Sequence, residues 1–201
     1  MSVVVALERP FVIADLAGAF ERAAIGSLGA QDELVKSMGD AVLVVCVGPA
    51  EALAFLGALF DRFGGGDSDL PLLRAGAHHG SAVRRGDDYF GSGVNVAARV
   101  ADLAAGCQIL ATDAVAQAAR RSGVGVVELG PYVLRNVSEP VALFEIDCGH
   151  DVRGHTIDPV CHMRVPRERA TGTLRHDGAE YWFCSLDGVG RFATHPARYT
   201  A

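Results

Sequence analysis

Residues 87–99 read D-D-Y-F-G-S-G-V-N-V-A-A-R. Gly91 and Gly93 break the chain ahead of a run with helical spacing from about Val94 to Ala104. Asn95 and Arg99 stand four apart on that run, which puts them on one face of a helix. An amide and a permanent cation at that spacing suit a phosphate: Asn holds a sugar oxygen while Arg stabilises charge growing on phosphoryl oxygens. The plainer reading of the same residues is a solvated helix in which Arg99 pairs with Asp102 at i,i+3.

Upstream of this stretch, Leu72–Val83 has strand character, and Gly64-Gly65-Gly66 with the polar run to Asp69 reads as loop. Leu53, Leu56, Phe60 and Phe63 recur at helical spacing, so Pro49–Phe63 is a predicted helix with proline at its start. Glu33–Lys36 and Ala41–Val47 are predicted strands joined by a tight turn at Ser37-Met38-Gly39, with Asp40 at the turn's exit. Phe11–Asp15 is a short apolar run ending on a carboxylate, and Ala17–Gly29 is weakly helical. Downstream, a strand is expected at Gln108–Ala111. A helix follows at Asp113–Arg121, with Thr112 as its N-cap and Gly123 as its stop. Gly125–Leu129, Tyr132–Arg135 and Val141–Ile146 close a β-rich segment. This order implies an α+β sandwich with helices on one face of a mainly antiparallel sheet.

Composition narrows the function classes. The chain has 201 residues, 50% hydrophobic and 21% charged, enough for one sizeable core and a small appendage. A net charge of −6 without a long Lys/Arg cluster argues against a nucleic-acid reader. Ala41–Phe60 reaches membrane-span length, but Gly48-Pro49 interrupts it, so no span is expected. Five cysteines and no secretory pattern at the start point to reduced thiols and a cytoplasmic protein.

Asp15 and Asp40 meet at one end of the sheet if the first strand pairs with the strand that starts at Asp40. Two clustered carboxylates are the usual protein share of a two-Mg²⁺ site, with substrate phosphates as further ligands. The alternative reading is a helix cap at Asp15 and a turn residue at Asp40.

Together these segments resemble a class III nucleotidyl cyclase catalytic domain over about Phe11–Ile146. The residues that carry the likeness are V-I-A-D-L-A-G (12–18), V-K-S-M-G-D-A (35–41), R-A-G-A-H-H-G (74–80), D-Y-F-G-S-G-V-N-V-A-A-R (88–99) and L-R-N-V-S-E-P-V-A-L-F-E-I (134–146). The resemblance implies a ferredoxin-like βαββαβ core with extra C-terminal strands. It assigns Asp15 and Asp40 to two Mg²⁺ or Mn²⁺ ions, Lys36 and Asp88 to the purine, Asn95 to the ribose and Arg99 to the transition state. Arg135 falls near the terminal phosphates. The implied reaction turns ATP into 3′,5′-cyclic AMP and pyrophosphate, at sites shared between the two chains of a homodimer. Only 24 residues separate Asp15 from Asp40, shorter than is usual in the family by about one helix and its turn. A second reading is therefore a catalytically degenerate nucleotide-binding or regulatory module.

The domains expected are 1–147, a linker at 148–156, and 157–201. The last segment, with D-P-V-C-H-M-R-V and Y-W-F-C-S-L-D-G, resembles a YHS domain, a small metal-associated module. Cys161 and Cys184 match its first two cysteines, and Gly188 stands where a third is expected. With His162 or Asp187 they form a candidate Zn²⁺ or Cu⁺ site; a metal-free mini-domain packed on Tyr181, Trp182, Phe183 and Phe192 is the other reading.

Overall fold

The computed structural model describes residues 2–7, 14–64, 73–104, 106–147, 155–160, 164–167 and 170–200. For 2–7, 14–17, 63, 64, 155, 157, 164 and 166 it describes the backbone alone. Its elements begin with β1 (Ser2–Leu7), α1 (Ala14–Ile25), β2 (Glu33–Met38), β3 (Ala41–Val45), α2 (Pro49–Gly64) and β4 (Leu73–His78). A hairpin follows, β5 (Val83–Arg85) and β6 (Asp88–Phe90), then α3 (Ser92–Leu103), β7 (Ile109–Thr112), α4 (Asp113–Arg121), β8 (Val126–Tyr132) and β9 (Val141–Ile146).

Seven strands form one sheet in the order β2-β3-β1-β4-β7-β9-β8. β1 lies antiparallel between β3 and β4, so the first six elements are a ferredoxin-like βαββαβ unit. β4 and β7 are parallel, and the other neighbouring strands of this sheet run antiparallel, giving the α+β class.

The alternation of each strand decides which helix it meets. Val42, Val44, Ala75, Ala77, Ile109, Ala111, Phe144 and Ile146 face α1, α2 and α4, with Phe20, Phe55, Leu59, Phe60 and Val115 in the same cluster. Each fully buried Phe or Leu there contributes about 1.5–3 kcal/mol relative to exposure. The helices do not share one face, as the sequence suggested. α3 packs on the other side, where Leu43 meets Ala97 and Ala101, and Leu110 and Leu143 meet Val96 and Val100. The sheet is apolar or small on both faces in its middle, which lets helices cover both.

α3 lies unusually close to β4. A Cβ on Gly76 would come within 2.1 Å of the Ala101 backbone nitrogen and 2.6 Å of the Ala97 carbonyl oxygen. Arg74, two residues earlier on β4, closes the far end of this helix. Its Nη1 donates to the carbonyls of Ala101 (3.0 Å) and Asp102 (3.1 Å), a cation on the negative end of the helix dipole.

Several expectations change. Ala14 and Asp15 lie in α1, so Asp15 sits in a helix's first turn and does not end the first strand; residues 11–13 of the expected strand lie outside the described residues. The first strand is Ser2–Leu7, a β-branched run suited to a position flanked on both sides. The two strands expected at Gly125–Leu129 and Tyr132–Arg135 are one strand, β8, with a register shift between Glu128 and Gly130. Thr112 occupies the N-cap of α4 without capping it, and its Oγ1 bonds His78 Nδ1 at 2.9 Å. Burial chiefly, helped by neighbouring His79, lowers the His78 pKa, favouring neutral imidazole.

The C-terminal segment is built from two hairpins and a helix. β10 (His155–Ile157) pairs with β11 (Arg164–Pro166), and β12 (Gly172–His176) with β13 (Ala179–Phe183). α5 (Leu186–Thr194) follows, capped by Ser185 Oγ accepting from Gly188 N–H at 3.1 Å. β10 takes in His155 and Thr156 from the expected linker, whose residues 148–154 are outside the described set. Its core is Val160, Phe183 and Phe192, flanked by Leu174, Tyr181, Val189 and Tyr199.

Candidate functional site

Two residues 52 apart in sequence meet at the edge of the sheet. Lys36 Nζ donates to Asp88 Oδ1 at 2.9 Å and to Oδ2 at 2.8 Å. Both side chains remain about one-third exposed, at 38% and 33%, so the pair is reachable by a ligand. The Lys36 ammonium first, and then the Tyr89 backbone N–H (2.8 Å), hold the Asp88 carboxyl below its ordinary value.

The donor and acceptor count of this pair is informative. An ammonium has three donors, of which two can engage Asp88; a carboxylate has about four acceptor positions, of which Lys36 and Tyr89 take three. One donor of Lys36 and one acceptor position of Asp88 remain. Together they match a ring nitrogen that accepts next to an amino group that donates.

Local geometry brings α3 next to this pair. β6 ends at Phe90, Gly91 turns the chain at φ +132°, and Ser92 opens the helix. Gly93 N–H donates to the Ser81 carbonyl (3.3 Å), and a Cβ on Gly93 would lie 2.7 Å from that oxygen. A larger residue there would push the helix start away from the hairpin. Val35, beside Lys36, and Val94, beside Asn95, pack on the same cluster of Leu43, Ala97 and Ala101.

Asn95 is exposed on α3. Arg99 lies one turn along, and its Nη1 donates to Asp102 Oδ2 at 3.0 Å. This is the i,i+3 pair that spacing alone suggested. Such an exposed pair is weak, about 0–1 kcal/mol, and a phosphate can displace it. Asp40 follows Gly39 in the two-residue turn between β2 and β3, half-buried, with Met38 paired to Ala41. Asp15 is on the first turn of α1, its side chain outside the described residues. Arg135 is exposed in the loop after β8, beyond the strand in which it was expected. The structure thus joins Lys36 to Asp88 and sets them near the Asn95 helix.

Three further residues complete the surroundings, of which Arg84 reads in the sequence alone as half of a solvated Arg84-Arg85 pair. Glu33 Oε2 accepts from the Tyr89 hydroxyl at 3.1 Å, and Glu33 Oε1 accepts from Arg84 Nη2 at 3.1 Å. The Arg84 guanidinium also lies 5.7 Å over the Tyr89 ring. The cross-strand pairing of Arg84 with Tyr89 was the available signal once the hairpin was recognised.

In the C-terminal segment, Cys184 is exposed at the end of β13, and Asp187 is exposed on α5. Cys161 and His162 lie outside the described residues. Among the described residues no three His, Cys, Asp or Glu side chains gather as for a metal ion. The expected third thiolate position is Gly188, buried, where a Cβ would sit 3.3 Å from Asp158 Oδ2. Asp158 is fully buried; its Oδ1 accepts from Val160 N–H and its Oδ2 from Cys184 N–H, both at 2.8 Å. The described donors therefore do not make a closed four-ligand zinc site.

Known proteins resemble both parts of the chain. Residues 156–201 match the family model of the YHS domain, and this segment is a YHS domain. The chain is 38% identical over 119 residues to a pH-sensitive adenylate cyclase of Mycobacterium tuberculosis. That match covers 57% of this chain and 30% of the relative, so the chain spans less than a third of the length of that protein. Adenylate cyclases from Trypanosoma brucei, solved in their monomeric state, superpose with a TM-score of 0.65 at 22% identity, covering 72% of this chain and 86% of theirs. An adenylate/guanylate cyclase/hydrolase from Silicibacter pomeroyi gives a TM-score of 0.60 at 21% identity, over 73% of this chain and 95% of that one. The larger part of the chain has the cyclase fold. No helix among the described residues is long and apolar enough to cross a membrane.

Proposed function

We propose that this chain, a class III cyclase fold followed by a YHS domain, is an adenylate cyclase that converts ATP to 3′,5′-cyclic AMP and pyrophosphate. The observation that carries the reading is the Lys36–Asp88 pair, closed across 52 residues beside the Asn95 helix. Its free donor reaches adenine N1 and its free acceptor takes the 6-amino hydrogen.

In the reaction the ribose 3′-hydroxyl gives up its proton to solvent and its oxygen forms a bond to the α-phosphorus, the bond from that phosphorus to the α,β-bridging oxygen breaks, and pyrophosphate leaves in line. Lys36 and Asp88 fix the base, and Asn95 orients the ribose. Arg99 leaves Asp102 to stabilise charge on the phosphoryl oxygens. Arg135 meets the terminal phosphates. The carboxylate oxygens of Asp15 and Asp40 suit hard divalent cations. Two Mg²⁺ or Mn²⁺ ions held there with substrate phosphates would acidify the 3′-hydroxyl and neutralise phosphate charge. Positioning is the protein's main contribution. The site is completed across a two-fold homodimer, with metal aspartates from one chain and the remaining groups from the other.

A second reading has its own support: a cyclase-like module that binds nucleotide without turnover. Arg99 is held by Asp102, and Asp15 belongs to a helix. The test is production of cyclic AMP from ATP by the full chain with Mn²⁺, beside Asp40→Ala. Turnover by the parent and loss of at least 10²-fold in the variant is the expected outcome. Equal output from both rejects the enzymatic reading, and a measured ATP affinity without turnover selects the binding module.

A further inference from the structure

Glu33 and Lys36 are three residues apart on β2, a spacing that places side chains on opposite faces of a regular strand. They nevertheless reach the same hairpin, because the ladder between β2 and β3 slips by one residue. Leu34 pairs with Val44 and Lys36 with Leu43, leaving Val35 as the extra residue of a bulge. Glu33 pairs with Val45, two positions from Leu43, so Glu33 and Lys36 share the face that α3 covers. From there Lys36 takes Asp88 on β6, while Glu33 takes Tyr89 on β6 and Arg84 on β5. Tyr89 in turn gives its backbone N–H to Asp88 Oδ1.

Apart from these contacts, the described anchor of the hairpin is at its base, where the Ser81 carbonyl accepts from Gly93 N–H. Val83, Arg84, Arg85 and Phe90 are exposed, and β5 and β6 form a separate two-stranded sheet. A two-stranded ribbon alone is marginal in water. Its orientation therefore depends on side chains reaching across from β2.

We propose that Glu33 is a positioning residue for base selection, holding through Tyr89 and Arg84 the hairpin that presents Asp88 to Lys36. This rests on the cyclase reading. Glu33 touches neither base nor phosphate; it sets the angle at which the free acceptor of Asp88 meets the amino group of the purine. Its loss weakens recognition of the base and leaves the phosphoryl chemistry in place.

The test uses the full chain with Mn²⁺ and, separately, ATP and GTP. A fluorescent ATP analogue titrated in Ca²⁺ gives affinity without turnover. Glu33→Ala is expected to raise KM for ATP and the analogue's Kd roughly tenfold, the cost of one misaligned hydrogen bond. It should lower the ATP-to-GTP ratio of kcat/KM by a similar factor, with kcat within about twofold. Tyr89→Phe should move the same ratio less, and the double variant no further than Glu33→Ala, because both act through one contact. Tyr89→Phe, which removes a single hydroxyl, carries the test if Glu33→Ala does not fold. Equal losses for ATP and GTP, a fall in kcat alone, or no change overturns the role of Glu33, as does a parent that does not discriminate. A parent that neither binds the analogue nor forms cyclic nucleotide overturns the cyclase reading, and this inference with it.

Discussion

Gly76→Ala tests how the sheet holds the helix that carries Asn95 and Arg99. The added methyl carbon would lie 2.1 Å from the Ala101 nitrogen, 2.6 Å from the Ala97 oxygen and 2.7 Å from the Ala101 Cα, where ordinary contact begins at 3.4 Å. All three atoms are backbone, so no side chain can swing aside. α3 must retreat from β4 by roughly 1 Å, opening the packing of Val96, Ala97, Val100 and Ala101. Overpacking of this kind costs about 1–3 kcal/mol, and three backbone atoms of α3 met at once put this one near 3 kcal/mol. The same shift displaces Asn95 and Arg99, for which a 1 Å error is worth about 10²-fold in rate. Denaturant unfolding followed by far-UV circular dichroism gives the first number, and cyclic AMP formation gives the second. Ala101→Gly added to Gly76→Ala should restore neither, since it removes no backbone atom. A midpoint and turnover indistinguishable from the parent, or rescue by Ala101→Gly, would refute the packing argument.

Two further outcomes follow from the charges. Asp158→Ala leaves two backbone N–H groups, of Val160 and Cys184, without their acceptor, at a cost of about 3 kcal/mol. A unit this small rarely has more than about 3–5 kcal/mol in hand, so it should unfold while the rest of the chain keeps its own transition. Trp182, the sole tryptophan, lies on β13 and reports this by fluorescence; an unchanged signal contradicts the clamp. The Asp88 carboxyl is held below its ordinary 3.8. A lowered folded value adds stability that is complete above the unfolded pKa and is lost as pH falls through the folded one. Lys36→Met should therefore raise the Asp88 pKa toward its ordinary value by NMR titration, because the ammonium that holds it down is gone. An Asp88 that titrates identically in both rules out the pairing in solution.

The sequence was most legible where punctuation and periodicity agree. Asp113–Arg121 carries its stop at Gly123, which adopts φ +75°, and Val141–Ile146 is a short apolar run whose length gives its bounds. β1 was missed because Phe11–Asp15 bears the family motif, and that likeness outweighed the β-branched run Val3-Val4-Val5. In the site, the Arg99–Asp102 pair followed from helical spacing alone. The Lys36–Asp88 contact was not derivable from spacing; both residues came from the resemblance, and their meeting depends on a hairpin leaning on a distant strand. Glu33 was invisible because nothing in L-V-K announces a bulge, and without one it faces away from Lys36.

The Val35 bulge has an effect on the molecule's exterior as well. β2 and β8 are the two margins of the seven-stranded sheet, and each has a register shift, β2 at Leu34/Lys36 and β8 at Glu128/Gly130, with Pro131 following. A straight margin would offer a row of unpaired amides and carbonyls to the strand of any neighbouring molecule. Kinked at both borders, this sheet gives a second chain no continuous ladder to extend. The irregularity that turns Lys36 toward its partner also guards the protein against piling into fibrils at high concentration.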